Sequence, residues 1–141
     1  MISKNYVKDV GGNFCSMETH AKDDMLTEQA VFDALRYRIR VDHQGTRKYY
    51  NSAGQLHREN GPAIEYADGC KIWYQNGLLH RTDGAAVEWF DGDKYWYQNG
   101  VPHRTDGPAV ERCDGSKDWF INGEELTEDE FNQRVNQKQN D

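Results

Sequence analysis

The segment from Tyr49 to Phe120 repeats one pattern three times. The copies in register are Tyr49–Ile72, Trp73–Tyr95 and Trp96–Asp118, and a partial fourth copy opens with WFINGEEL at Trp119. The period is 23 residues, with one extra residue in the first copy. A fixed period of this length is typical of stacked supersecondary units, each too small to bury its own apolar face. The repeat therefore predicts an array in which each unit is stabilised by its neighbours.

Two dipeptides that favour tight turns recur in each copy. Asn-Gly stands at residues 76–77, 99–100 and 122–123, and Asp-Gly stands at residues 68–69, 91–92 and 114–115. Both pairs suit turns with positive φ, and short aromatic and β-branched runs lie beside them. A third break, at residues 60–62, 83–85 and 106–108, divides the connection. We expect a mainly β fold, an antiparallel β-hairpin repeat stack in which each unit is one hairpin plus a structured loop.

An adjacent aromatic pair opens every copy: Tyr49-Tyr50, Trp73-Tyr74, Trp96-Tyr97 and Trp119-Phe120. Because side chains alternate across a strand, each pair sends one ring to each face of the sheet, which predicts two aromatic ladders. One interpretation makes one ladder core and the other surface. The alternative makes the outer ladder a stacking platform for sugars or bases. We expect the tryptophans to be buried, and Tyr50, Tyr74 and Tyr97 to form an outer binding row.

A His-Arg dipeptide recurs once per unit, at His57-Arg58, His80-Arg81 and His103-Arg104. Neighbouring hairpins lie about 9 to 10 Å apart, too far for the three imidazoles to share one zinc ion, so no metal site is predicted. One interpretation is structural: each histidine bonds a turn, and each arginine pairs with an acid such as Glu59, Asp83 or Asp106. The alternative is that these six side chains join the tyrosines in binding an acidic partner surface.

Helix signals flank the array. Residues 26–37, LTEQAVFDALRY, have apolar side chains at helical spacing behind a candidate cap at Thr27, which predicts a helix of about ten residues. Residues 127–130, TEDE, form a capping box and predict a helix from about Glu128 to Asn136, with Phe131 and Val135 packed on the last repeat. Residues 137–141 are expected to be a disordered tail. The chain divides into an N-terminal arm and helix (1–36), the repeat array (37–126) and a capping helix with its tail (127–141).

Charge and composition exclude several functions. The formal net charge of -7 disfavours nucleic acid, because proteins that neutralise phosphates carry basic surfaces. No apolar run approaches the roughly 18 residues that cross a bilayer, and the first residues lack a secretory signal, so we expect a cytoplasmic protein with no membrane contact. Three cysteines, Cys15, Cys70 and Cys113, are expected to be free thiols. No catalytic motif and no cofactor motif occurs, so we predict neither an enzyme nor a cofactor.

The aligned pattern WYxNGxxHRxDGPAVExxDGxK, over about residues 37–131, resembles the MORN-related β-hairpin repeats. It is more similar to the variant found in small proteins of large-genome bacteriophages and giant viruses and in YwqK-type antitoxin-like proteins. Its spacing differs from that of standard MORN repeats, so the lipid binding of those repeats is not expected for this chain. The resemblance implies a hairpin stack that binds other macromolecules, and a phage origin.

These observations together predict a non-enzymatic protein-binding module, a phage-encoded inhibitor or adaptor that acts on a host protein in the host cytoplasm. The alternative is an aromatic-ladder module that binds a glycan or single-stranded nucleic acid. An open sheet edge before Tyr37 or after Phe120 would invite symmetric pairing into a homodimer.

Overall fold

The computed structural model describes Val7–Lys8, Phe14–Cys15 and residues 28–140. The chain divides into two compact units, Met1–Leu35 and Arg36–Asp141. Near the N-terminus, β1 (Val7–Lys8) pairs antiparallel with β2 (Phe14–Cys15). Helix α1 (Glu28–Arg36) has nine residues, which confirms the predicted helix. The expected cap, Thr27, lies outside the described residues.

Thirteen short strands follow α1 in the described part of the chain. They are β3 (Arg38–Val41), β4 (Arg47–Tyr50), β5 (Ile64–Glu65), β6 (Lys71–Ile72), β7 (Tyr74–Gln75), β8 (Leu78–Leu79), β9 (Val87–Glu88), β10 (Lys94–Tyr95), β11 (Tyr97–Gln98), β12 (Val101–Pro102), β13 (Val110–Glu111), β14 (Lys117–Ile121) and β15 (Glu124–Leu126). Nine of them form one antiparallel sheet in the order β15-β14-β13-β10-β9-β6-β5-β4-β3. The predicted antiparallel hairpin array is confirmed.

The second and third repeats each contain two hairpins, whereas one hairpin and a loop were expected. The first hairpin turns at Asp-Gly and adds two strands to the nine-stranded sheet, as β9 and β10 do. The second turns at Asn-Gly and forms a separate two-stranded ribbon, β7 with β8 or β11 with β12. Asn76 and Gly77 have φ of 49° and 80°, and Asn99 and Gly100 have φ of 51° and 82°. Two successive residues with positive φ make the compact turn that the Asn-Gly dipeptide favours.

The main core lies on one face of the sheet. Ile64 stands opposite Ile72 and Ile72 opposite Val87, so apolar side chains continue from strand to strand. These three are buried, and the half-buried Leu56, Tyr66, Tyr74, Leu79 and Tyr95 pack against them. At the next position along the strands, glutamate stands opposite lysine, as in Glu65 with Lys71 and Glu88 with Lys94. Opposite charges at paired positions stabilise a sheet whose second face is polar.

Helix α2 (Glu128–Gln139) closes the C-terminal end of the array, as predicted. Thr127 caps it: the Thr127 hydroxyl accepts the Glu130 N–H, and the Glu130 carboxylate accepts the Thr127 N–H. Phe131 is buried with Ile121 and Leu126. The prediction of a disordered tail from residue 137 is wrong, because the helix continues to Gln139. Glutamine and lysine are good helix formers, and Lys138 complements the negative end of the helix dipole.

Strand β3 forms the other edge of the sheet. In the part of the chain that the structure describes, no strand pairs with its outer side, and its four residues are exposed. It carries Arg38 and Arg40, and charged side chains on an edge oppose pairing with a second sheet. These charges disfavour pairing at this edge, and the homodimer stays a prediction. Among the described residues, no helix is long and apolar enough to cross a membrane.

Candidate functional site

The repeated histidines bond the next repeat through their rings. The backbone N–H of the turn asparagine donates to Nδ1 of the preceding repeat's histidine: Asn76 to His57 at 2.9 Å, Asn99 to His80 at 3.0 Å and Asn122 to His103 at 2.9 Å. A nitrogen that accepts a hydrogen bond carries no proton, so these contacts require the neutral ring with its proton on Nε2. Burial lowers the pKa of His103, and the nearby charge of Lys138 lowers it further.

The backbone of the same dipeptide also joins neighbouring repeats. The Arg81 N–H donates to the Tyr97 carbonyl of the next repeat at 3.1 Å, whereas the His80 N–H donates to the Trp73 carbonyl of its own repeat at 3.2 Å. The equivalent donors, His103 and Arg104, bond Trp96 and Phe120. The His-Arg segment therefore holds one repeat to the next, a role that agrees with the structural interpretation of the histidines.

The repeated arginines are paired within their own repeats. The Arg81 guanidinium carbon lies 3.8 Å from the centroid of the Trp73 ring, and the group donates to Asp83, the Ala85 carbonyl and Glu88 at 2.9, 2.9 and 3.0 Å. Arg104 repeats this arrangement over Trp96 at 3.9 Å. Hydrogen bonds from the Arg81 and Arg104 side chains, helped by their positive charge, hold the pKa values of Asp83 and Asp106 below their usual range.

Arg58 follows the same plan, except that Asn60 stands where the other repeats have Asp83 and Asp106. Its guanidinium carbon lies 4.0 Å from the Tyr49 ring centroid, and it pairs with Glu65 at 3.1 Å. The expected acid, Glu59, pairs instead with Arg36 at 3.0 Å. The exposed fractions of the side chains are 10% for Arg58, 20% for Arg81 and 18% for Arg104. Stacked, paired and mostly covered, these arginines give little support to a row that binds an acidic partner.

A glycine lets each arginine lie flat on its aromatic ring. A Cβ built on Gly84 would meet the Arg81 guanidinium carbon at 2.8 Å, and one on Gly107 would meet that of Arg104 at the same distance. Gly61 stands in the same relation to Arg58, with 3.0 Å to Nη1. These glycines are therefore required for close approach, whereas the Asp-Gly and Asn-Gly glycines are required for positive φ.

The aromatic pairs do not divide into buried tryptophan and exposed tyrosine. Trp73 and Trp96 are half-buried, and so are Tyr50, Tyr74 and Tyr97. Tyr74 packs against the main core cluster, and this burial raises the pKa of its phenol. The reason is that the Asn-Gly ribbon brings its tyrosine back against the core face. The predicted tyrosine row is thus partly occupied by packing.

The last tryptophan, Trp119, contacts an aromatic ring instead of an arginine. The Trp119 and Phe131 ring centroids lie 4.7 Å apart, so a helix side chain packs where a repeat would supply an arginine. The chain departs from the repeat at the same point, because Leu126 and Thr127 replace His and Arg.

An open groove of about 600 Å³ brings some of the predicted residues together. Arg58, His80 and Arg81 line it beside Trp73. Tyr50, Tyr74 and Tyr97 do not line it. Both arginines in the groove are already stacked and paired with carboxylates, so the groove presents little unbalanced charge to a ligand.

Among the residues with described side chains, the exposed aromatic ones are Trp89 and Phe90, which lie outside the predicted site. Trp89 and Phe90 precede the Asp-Gly turn of the middle repeat, with 40% and 74% of their surface exposed. The equivalent residues are Tyr66-Ala67 and Arg112-Cys113. Backbone bonds fix the turn: the Phe90 N–H donates to Sγ of Cys70 at 3.3 Å, and the Trp89 N–H to the Asp93 carbonyl at 3.0 Å. The sequence signal that could have found the pair is its departure from the repeat pattern.

Aspartates accompany this pair along the stacked Asp-Gly turns, residues 66–69, 89–92 and 112–115, here called the turn row. Oδ1 of each turn aspartate accepts the N–H two residues later: Asp68 from Cys70 at 2.9 Å, Asp91 from Asp93 at 3.0 Å and Asp114 from Ser116 at 2.8 Å. These bonds lower the pKa values of Asp68 and Asp114. All three aspartates are exposed. The turn row is therefore a negatively charged surface with an aromatic pair at its middle.

One cluster in the turn row has the composition of a metal site. Ligand atoms of Asp91, Asp93 and Cys113 lie within 4.8 Å of one another. Asp93 already accepts the Cys113 N–H at 2.7 Å and the Tyr95 hydroxyl at 3.3 Å. Its carboxylate also raises the pKa of the Cys113 thiol, and a protonated thiol is a poor ligand. Hydrogen bonding accounts for this cluster without an ion.

Comparison with known proteins finds no family model, no curated protein and no solved structure that matches this chain. The resemblance to MORN-related repeats therefore stays a prediction.

Proposed function

We propose that this chain is a non-enzymatic protein-binding repeat module, and that it acts on a host protein as a phage-encoded inhibitor or adaptor. The supporting observation is the exposed pair Trp89 and Phe90 on a turn fixed by backbone hydrogen bonds. Large exposed apolar side chains in one place are typical of interaction sites, and aromatic residues dominate the binding energy of protein interfaces.

The roles of the other repeated residues strengthen this choice. The histidines bond the next repeat, and the arginines stack on aromatic rings of their own repeat. Residues that every repeat needs for its fold are poorly suited to recognise one partner. Trp89 and Phe90 differ from their counterparts in both neighbouring repeats. Their exposed surface does not contribute to stability through burial. A binding role gives a reason for that departure.

The glycan or nucleic-acid alternative has less support. An arginine covers one face of Tyr49, Trp73 and Trp96, so these rings are not open platforms for stacking. Trp89 and Phe90 are open, but exposed aspartates accompany them and would repel phosphates. The charge therefore disfavours single-stranded nucleic acid, and the covered rings disfavour a glycan stacked along the repeated aromatic row.

The test is affinity purification from a bacterial lysate with identification by mass spectrometry. The variant Trp89→Tyr with Phe90→Ala gives the middle repeat the Tyr66-Ala67 of the first, so it should fold normally and lose the partner. The matched control is Leu78→Gln, which replaces another exposed apolar side chain with its first-repeat counterpart, Gln55. A partner retained by the double variant would exclude this surface. Failure of the wild-type chain to enrich any protein would reject the proposed function itself.

A further inference from the structure

We propose that the partner binds the turn row through an extended segment with an arginine or lysine at about every third position. This inference rests on the proposed function, because it names the chemistry that the partner must present. It goes beyond that function in assigning the three turn aspartates, Asp68, Asp91 and Asp114, as the charge-recognition part of the surface.

The charge of the turn row supports a basic occupant. Asp91 lies in the same turn as Trp89 and Phe90, Asp68 lies in the turn of the preceding repeat and Asp114 in that of the following repeat. Each uses one carboxylate oxygen to hold its own turn. A cation placed on this row would pair with carboxylates and could also stack on an aromatic face, and both interactions favour arginine or lysine.

The basic side chains near the row form no ion pair with the turn aspartates among the described residues. Arg112 pairs with Asp118. Lys71 and Lys94 follow the turns and stand opposite Glu65 and Glu111, which already pair with Arg58 and Arg104. The three turn aspartates therefore carry charge that a basic partner could pair with.

The molecule already contains the arrangement that we propose for the complex. Arg81 stacks on Trp73 while it pairs with Asp83 and Glu88. The turn row also offers an aromatic ring beside carboxylates. In the middle repeat, however, Trp89 and Phe90 occupy the positions of Arg112 and Cys113, so this turn has no arginine of its own. A partner arginine would supply the missing member from outside.

The spacing of the repeats sets the register of the partner. Successive turns of the row are two strands apart, which is about 9 to 10 Å. An extended polyproline II segment advances about 3.1 Å per residue, so its every third side chain recurs at about 9 Å. A basic residue at every third position therefore meets one turn aspartate after another.

The test uses purified full-length chain and two synthetic peptides of identical composition. In one, arginine occupies every third position among proline and glycine; in the other, the same arginines form one block. Binding is measured by calorimetry and by tryptophan fluorescence. We expect the periodic peptide to bind at least about fivefold more tightly than the block peptide. The fluorescence change should disappear in Trp89→Phe, which keeps the aromatic face.

The variant that tests the charges is Asp68→Asn with Asp91→Asn and Asp114→Asn, because asparagine keeps the Oδ1 acceptor of each turn. The control, Glu125→Gln with Glu128→Gln and Asp129→Asn, removes the same charge from exposed residues at the C-terminal end of the array. From the usual strength of exposed ion pairs, the turn-row variant should bind the periodic peptide about tenfold more weakly, and the control should change it less than about twofold.

Three results would overturn the inference. One is equal binding of the two peptides, and the second is equal weakening by the two charge variants, which would indicate non-specific attraction. The third is quenching of Trp89 by a glycan or single-stranded DNA with no response to the periodic peptide. The first two leave the proposed function in place, because a partner captured through Trp89 and Phe90 could present a different surface. The third would favour the glycan or nucleic-acid alternative over the proposed function. Failure of the wild-type chain to capture any protein would reject both the proposed function and this inference.

Discussion

The guanidinium of Arg81 lies 3.8 Å from the Trp73 ring centroid while its Nη1 donates to Glu88 at 3.0 Å. One side chain thus links an aromatic ring, a turn and a strand of the same repeat. The pairing covers one face of a large ring that the thin sheet leaves half-buried. It also makes the geometry of the guanidinium, rather than its charge alone, the basis of stability.

Arg81→Lys is expected to lower the free energy of unfolding by about 1 to 3 kcal/mol, because an ammonium keeps the charge but loses the planar stacking and the fork of donors. Chemical denaturation measures the change. The control is Arg47→Lys, on an exposed position of β4, which should change stability by less than about 0.5 kcal/mol. Equal effects of the two substitutions would show that the stacked geometry contributes little.

Gly84→Ala should destabilise the chain by about 1 to 3 kcal/mol, because its Cβ would lie 2.8 Å from the Arg81 guanidinium carbon. The cause can be separated by a double-mutant cycle. In an Arg81→Ala background, the same glycine substitution should cost much less, since nothing remains to be displaced. Additive losses in the double mutant would assign the effect to the backbone of the turn.

Gly115→Val should destabilise the chain by a few kcal/mol for a different reason. Gly115 has a φ of +87°, and a Cβ at this position would meet no atom of another described residue within 4 Å, its chain neighbours aside. Only backbone strain therefore opposes a side chain there. Gly115→Asn should cost less, because asparagine tolerates left-handed conformations. The melting temperatures of the two variants test this order, and a valine variant as stable as the wild type would contradict the turn geometry.

Stability should fall when the pH is lowered through the titration range of His103. Its pKa in the fold is below the ordinary value of 6.5, so above about 6.5 both states are neutral and the contribution is complete. As the pH falls below 6.5, the unfolded chain binds the proton first. The free energy of unfolding therefore decreases until the pH is below the pKa of His103 in the fold. His103→Gln, which keeps an acceptor for the Asn122 N–H, should show a smaller loss between about pH 7.5 and 5.5. An identical pH dependence in both proteins would contradict this role.

The sequence predicted the array, its turns and its C-terminal cap because these depend on local signals. Asn-Gly and Asp-Gly dictate turns by their backbone preferences, and the Thr127 to Glu130 capping box satisfies the first N–H groups of α2. The second hairpin of the second and third repeats was not predicted. Strands of two residues, such as β7 and β8, are too short to show an alternating pattern.

The candidate site was harder to predict, because the same residue types serve recognition and packing. Histidine and arginine at a fixed period fit a binding row, and only the three-dimensional contacts show that Arg81 and His80 bond their own array. Trp89 and Phe90, by contrast, could be recognised only by their departure from the repeat pattern. A periodic alignment draws attention to what is shared, whereas the open surface lies where the middle repeat differs.

The contact between Phe131 and Trp119 has a consequence for how such a chain can change over generations. The array ends where an aromatic side chain from a helix takes the place of an arginine, and this ending uses residues of the final unit only. An in-frame duplication of one 23-residue period upstream would therefore give a longer protein with the same terminus. Recombination could therefore lengthen the array by one repeat at a time. Each added repeat would bring another Asp-Gly turn, whose neighbouring side chains could then change independently.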